Sequence, residues 1–142
     1  MSNRYLHSLW CDDIRLEVGN KPSFMGSYLG GVTIPFTPFI FPKLCCYIWA
    51  STPIDNPFKK VEVQVTRDDG TLLTQMVLDN PEEMIATIEA TEDAKSLFLM
   101  FGLTIAPAEI PEGCKYLVVT MKTEAETLEG PKLRITIAPP AL

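Results

Sequence analysis

Short segments in which apolar and polar residues alternate, separated by turn residues, run through most of the chain. The clearest is 61–66, in which three valines alternate with polar residues, as on a strand with one buried face. Asp69-Gly70 follows this segment and is typical of a tight hairpin turn. The pattern predicts eight strands, at 5–15, 23–29, 43–50, 61–66, 72–78, 97–106, 116–123 and 132–138.

Two segments depart from simple alternation. The run 97–106 is almost continuously apolar, which predicts a strand buried on both faces. Asn80 and Pro81 match the cap and first residue of a helix, which predicts one short helix over 81–91.

Tyr116 follows a Pro/Gly corner, as the tyrosine corner of immunoglobulin-like domains does.

Many short strands with turn signals every 8–12 residues, and no long crossovers, favour an all-β fold. We therefore predict an immunoglobulin-like, Greek-key β-sandwich of about eight strands with one short helix. The length of 142 residues fits a single domain, 1–142, and the twelve prolines argue against a helical bundle.

The charge narrows the classes of partner. Six Lys/Arg and four Asp/Glu up to residue 60 give a net of +2, whereas six and fourteen beyond it give −8. The total of −6 argues against nucleic acid and anionic membranes as partners, because an acidic field repels phosphates. We find neither a signal-peptide pattern nor an apolar run long enough to cross a bilayer. The expected location is the cytoplasm, or the host cytoplasm or virion if the protein is phage-encoded.

The cysteines and the histidine form no recognisable metal or catalytic pattern. Cys11, Cys45, Cys46 and Cys114 contain no C-x-x-C pair and are predicted to be reduced, mostly buried thiols. His7 is the only histidine, and no nucleophile motif or phosphate-binding loop accompanies it. We predict no metal, no cofactor and no catalytic residue, and therefore no enzyme.

Near the N-terminus, a group of charged residues is the first candidate for chemistry. Asp12, Asp13, Arg15 and Glu17, with His7, would be the residues of an enzyme or small-ligand site. Neighbours on a strand point to opposite faces, so the two aspartates are not expected to act as a catalytic pair. The structural alternative is that one carboxylate caps a turn and the other pairs with a nearby cation. Asp12, Asp13 and Arg15 are also candidate interaction residues.

The stretch 35–42, P-F-T-P-F-I-F-P, is the feature that most suggests a partner. Its prolines stiffen an extended backbone, which loses little entropy on binding, and aromatic residues are enriched at interfaces. Either the phenylalanines fold inward and cover one end of the sandwich, or part of the stretch is exposed and docks a partner or a second copy. The candidate interaction residues are Pro35, Phe36, Pro38, Phe39 and Phe41.

Residues 10–17 read W-C-D-D-I-R-L-E, with a glycine–lysine turn at 19–21 and M-G-S-Y at 25–28. These motifs resemble the opening of a family of uncharacterised bacterial and phage proteins that begin with a C-D-D-I-R-x-E segment. The stretch 42–45 is similar to that family's next strand, so the resemblance covers 10–46. It implies an all-β domain of bacterial or phage origin and implies no activity.

Taken together, these features predict a non-catalytic interaction or structural module that acts through a protein–protein surface. Its partner would be another protein or a second copy. One alternative is a structural subunit of a phage particle or similar assembly, which would self-associate. The other is an enzyme or small-ligand binder that uses the cluster of Asp12, Asp13, Arg15 and Glu17.

Overall fold

A computed structural model describes residues 3–82 and 95–139, and the chain in these ranges is all-β. The strands are β1 (Tyr5–Glu17), β2 (Lys21–Tyr28), β3 (Gly31–Ile34), β4 (Phe39–Phe41), β5 (Leu44–Pro53), β6 (Val61–Arg67), β7 (Leu72–Leu78), β8 (Ser96–Ile105), β9 (Ala108–Ile110), β10 (Tyr116–Thr123), β11 (Thr127–Glu129) and β12 (Leu133–Ile137). The expected number of about eight is too low, because β3, β4, β9 and β11 have only three or four residues each and carry too little pattern to be read.

The helix predicted over 81–91 lies outside the described residues, apart from helical backbone at Pro81 and Glu82. Among the residues that are described, no helix has the length and apolar character needed to span a membrane.

The strands form two main sheets. One has the order β2-β1-β5-β8, and the other has the order β3-β12-β10-β6-β7, with β11 also beside β10. The strands β4 and β9 form a separate small sheet. The pairing β6–β7 confirms the hairpin predicted at Asp69-Gly70, and β1 and β2 form another hairpin. The strands β3 and β12 are the one parallel pair among these sheets. This arrangement fits a β-sandwich.

Side chains from both main sheets share one apolar core. On β5, Leu44, Cys46, Ile48 and Ala50 are buried while Tyr47 and Trp49 lie on the other face, as the alternation predicts. Three core valines on β6 face them from the second sheet. Each fully buried aliphatic side chain contributes about 1.5–3 kcal/mol.

The expectation that 97–106 is buried on both faces is wrong. Burial alternates along β8, so that Leu99 and Phe101 are buried whereas Phe98 and Met100 are 40% and 44% exposed. The four-stranded sheet packs its inner face on the core, and the outer face of β8 keeps contact with solvent. The continuous apolar run therefore places large apolar side chains on an open surface.

Tyr116 does not take the core-facing position of a tyrosine corner. It lies on the outer side of β10, opposite to the buried Leu117, and its ring centroid is 4.4 Å from Lys132 Nζ. Its ring therefore belongs to the surface of the second sheet.

Candidate functional site

Asp12 and Asp13 have different partners, as neighbouring positions on one strand predicted. Asp12 accepts a hydrogen bond from the Tyr28 hydroxyl, and burial together with this bond raises the pKa of Tyr28 to about 12. Gly26 opposes Asp12 with a φ of 67°, and a Cβ added there would lie 2.9 Å from Asp12 Cγ. Asp12 is thus held within the β1–β2 hairpin.

Asp13 instead forms ion pairs with two cations. Lys43 Nζ lies 2.5 Å from one carboxylate oxygen, and Arg15 Nε lies 3.4 Å from the other. The hydrogen bond from Lys43, with a smaller effect of Arg15, holds the pKa of Asp13 below its usual range. Glu17 is exposed and pairs in register with Lys21 at the hairpin end. The predicted cluster is therefore divided between separate contacts rather than gathered into one site.

The Pro/Phe stretch is part buried and part exposed, so each of the two alternatives describes some of it. Phe41 is buried in the core, and Phe39 packs edge-on against both Phe41 and Phe36, at 4.9 and 5.9 Å between ring centroids. Phe36 and Ile40 are 60% and 54% exposed. Pro35 and Pro38 are exposed as well.

Rings from β1 and β5 meet on the outer face of the four-stranded sheet, and β8 adds large apolar side chains beside them. His7 stacks on Trp49 at 5.7 Å between centroids and contacts Tyr5 edge-on at 5.1 Å. Tyr47 neighbours Trp49 at 6.4 Å. In the next strand, Met100 pairs with Trp49 and Phe98 with Ser51. We call this surface the aromatic face; it comprises Tyr5, His7, Tyr47, Trp49, Phe98 and Met100.

One end of the aromatic face is covered by the β1–β2 hairpin. Phe24 lies 5.0 Å from Tyr47 between ring centroids, and Ile14 Cδ1 is 3.0 Å from where a Cβ of Gly102 would be. At this end Cys11 of β1 lies directly opposite Cys45 of β5 in the strand register, and both free thiols are buried. Burial, with a smaller effect of Cys45, raises the pKa of Cys11 to about 11. The prediction of buried thiols holds for all four cysteines.

The open end of the aromatic face has no charged side chain at its outward strand positions. Residues 5, 7 and 9 of β1, 47 and 49 of β5, and 98 and 100 of β8 include no Asp, Glu, Lys or Arg. Alternation along the predicted strand 43–50 places Tyr47 and Trp49 on one face, but nothing in the sequence analysis joined them to the other residues of this surface. The available signal was three pairs of large side chains, each pair two residues apart in one strand: 5 and 7, 47 and 49, and 98 and 100. The sheet places these three strands side by side.

Cationic side chains converge on the second sheet, at a place that the sequence analysis also missed. Lys115, Lys132 and Arg134 line an open groove of about 650 Å³ beside Tyr116. Lys132, just before β12, and Arg134 in β12 form a K-x-R pair, which was a readable signal, whereas Lys115 comes from a different segment.

Among residues 3–82 and 95–139, no group of three or more His, Cys, Asp or Glu side chains is placed to hold a metal ion. Comparison with protein-family models, with curated proteins and with solved structures found no match for this chain.

Proposed function

We propose that this chain is a non-catalytic binding module with immunoglobulin-like, Greek-key topology that acts through a protein–protein surface. The strand order supports the topology. The order β1-β5-β8 corresponds to A-B-E of an immunoglobulin domain, and β12-β10-β6-β7 corresponds to G-F-C-C′. In this scheme β2 is an additional strand beyond A. The bacterial or phage origin and the cytoplasmic location stay predictions.

The separation of the candidate catalytic groups supports a non-catalytic role. Asp12 is bonded to Tyr28, Asp13 is paired with Lys43, and His7 lies within the aromatic face. A general acid–base mechanism needs its groups within hydrogen-bond reach of the same reacting atoms. These three side chains belong to three separate environments.

The observation that carries the proposal is that the outward strand positions of the aromatic face hold no Asp, Glu, Lys or Arg. Tyr, Trp, Phe and Met are enriched in interface cores and Lys, Glu and Asp are depleted, which is the composition of this surface. Tyr5, Phe98 and Met100 remain between 40% and 49% exposed, so a partner can still remove apolar area from water. Ring contacts among Tyr5, His7 and Trp49 also hold those three side chains in place, which lowers the entropy lost on binding.

The charge favours a different protein over a second copy as the partner. Two copies, each with a net charge of −6, repel one another once they approach within about 8 Å, which is the screening length at physiological salt. A neutral or basic protein with an apolar patch avoids this repulsion. The proposed partner is therefore such a protein, and self-association in an assembly is the alternative.

Site-specific photo-crosslinking in cells tests this proposal. A photoreactive residue replaces Met100 on the aromatic face or, as the control, the exposed Gln75 on the other sheet. We expect an adduct of discrete mass with another protein from the Met100 probe and not from the Gln75 probe. An adduct of two copies of this chain would support the assembly alternative, and equal labelling at both positions would contradict the proposal.

The partner identified in this way then allows a quantitative test. Met100→Glu places a charge on the aromatic face, and we expect it to weaken binding at least about tenfold. Gln75→Glu adds the same charge on the other sheet and should leave the affinity within about twofold.

The exposed part of the Pro/Phe stretch is a second candidate surface for the same function. Phe36 and Ile40 are exposed, and Ile40 lines a cleft of about 280 Å³ together with Arg67 and Glu109. A photoreactive residue at Phe36 gives the comparison. Adducts from position 36 and none from position 100 would show that the partner binds at the stretch 35–42 and not at the aromatic face.

A further inference from the structure

The cations of the groove on the second sheet belong to backbone segments that hydrogen bonds hold together. The Ile135 N–H donates to the Lys115 carbonyl at 2.8 Å, and the Arg134 N–H donates to the Gly30 carbonyl at 3.1 Å. Tyr116 pairs with Arg134 across β10 and β12. The backbones of the groove are therefore joined by hydrogen bonds, so that a ligand need not order them.

No carboxylate among the described residues forms an ion pair with the cations of this groove. Within the described residues, ion pairs are formed by Arg4, Arg15, Lys43 and Arg67, all outside the groove. Lys132 lies over the Tyr116 ring, a contact that leaves its charge in place. Three cations thus converge on one groove in a protein whose net charge is −6.

From this arrangement we infer that the groove binds a nucleotide-sized organic phosphate. An Arg guanidinium forms paired hydrogen bonds with a phosphate, and two Lys ammonium groups add mobile point charges. The volume of about 650 Å³ falls within the usual range of small-molecule sites. Leu29, at the exposed rim of the groove, and the ring of Tyr116 supply apolar contacts for the body of the ligand.

The surroundings favour a compact anion over a polymer. Asp68 accepts a hydrogen bond from the Lys115 N–H at 3.0 Å, beside the groove. Asp68, Asp69 and Glu112 line the neighbouring cleft. A polynucleotide that continued past the groove would meet these carboxylates, whereas one or two phosphate groups would not.

Titration with pyrophosphate and with ADP, followed by amide chemical shifts, tests the inference. At about 20 mM salt, where screening is weak, we expect saturable shifts for the amides of Gly30, Lys115 and Arg134 with both probes. Adenosine, which has no phosphate, should give none. An absence of saturable shifts with either probe up to about 10 mM would overturn the inference.

Matched variants separate a site from a general charge effect. Lys132 and Arg134 are exposed, so the double variant Lys132→Gln/Arg134→Gln should keep the amide spectrum of the folded protein. We expect it to weaken pyrophosphate binding at least about tenfold, and Lys122→Gln on the same sheet to change it less than about twofold. Equal weakening by Lys122→Gln, or tighter binding of a single-stranded oligonucleotide than of pyrophosphate, would contradict a compact site.

Discussion

Replacing the buried Arg4 should destabilise the fold more than replacing any exposed cation. Its guanidinium donates to Thr52 Oγ1 at 2.9 Å, to Thr123 Oγ1 at 3.2 Å and to the carbonyls of Asn56 and Pro57 at 3.1 Å each. It also lies 2.5 Å from Glu124 Oε2. These contacts use all five N–H donors of an arginine and join the start of β1 to the β5–β6 and β10–β11 connections.

The cost of Arg4→Met follows from the acceptors that it leaves behind. The threonine hydroxyls can rotate to other partners, and the Glu124 side chain, 24% exposed, can reach water. The Asn56 carbonyl still accepts from the Thr52 hydroxyl, but the Pro57 carbonyl loses the Arg4 donor, and a buried acceptor left unpaired costs about 1–3 kcal/mol. With the lost ion pair, we expect about 3 kcal/mol, the lower end of the range for breaking a buried pair.

Urea unfolding at pH 7, followed by tryptophan fluorescence, measures this loss. With a slope of about 1–3 kcal/mol per molar urea, the midpoint should fall by about 1–3 M while the slope stays unchanged. Arg15→Met is the control, because the Arg15 side chain is 64% exposed and such a pair contributes at most about 1 kcal/mol. If the two variants lose the same stability, the network around Arg4 is not what holds these connections together.

Three further predictions concern the thiols, the hairpin and the acid range. The raised pKa of Cys11, about 11, leaves roughly one thiol in ten thousand ionised at pH 7, so native iodoacetamide labelling should be at least about a hundredfold slower than in urea. Gly102→Val would press a side chain against Ile14, whose Cδ1 is 3.0 Å from the Cβ position, and so displace the β1–β2 hairpin. Labelling of Cys11 should then accelerate, and an unchanged rate would refute the view that this hairpin shields Cys11. Burial opposes ionisation of Glu124, but hydrogen bonds from Arg4 and a backbone N–H outweigh it and lower its pKa. Its stabilisation is therefore present above the unfolded-state pKa and lost as pH falls through the folded-state value, so Glu124→Gln should flatten the acid loss of stability in urea series from about pH 5 to pH 3.

The elements that the sequence predicted well depend on interactions between near neighbours. The alternating valines of 61–66 and the turn at Asp69-Gly70 specify a hairpin within about eighteen residues, and β6–β7 forms as expected. The faces of β5 were also predictable, because alternation along one strand decides which of Tyr47 and Ile48 points inward. Local pattern was sufficient wherever a strand's own residues decide its burial.

The surfaces with the clearest functional potential depend on strand register instead. His7 meets Trp49 only because β1 pairs with β5 in one particular register. The acceptors of Arg4 lie between 48 and 120 residues away along the chain. A continuous apolar strand such as β8 is equally compatible with one covered face or two, and only the packing of the sheets decides between them.

The aromatic face and the cationic groove lie on different sheets, with the shared core between them. A protein on the first surface and a phosphate compound in the second therefore do not compete for space, and each supplies a control for the other. Met100→Glu should leave pyrophosphate binding unchanged, and Lys132→Gln/Arg134→Gln should leave the Met100 adduct unchanged. If either variant altered the other site, the two sites would be coupled, and by linkage the anion would change the partner's affinity as much as the partner changes the anion's. Coupling would then have to be indirect, because no side chain of the aromatic face is among the residues that line the groove.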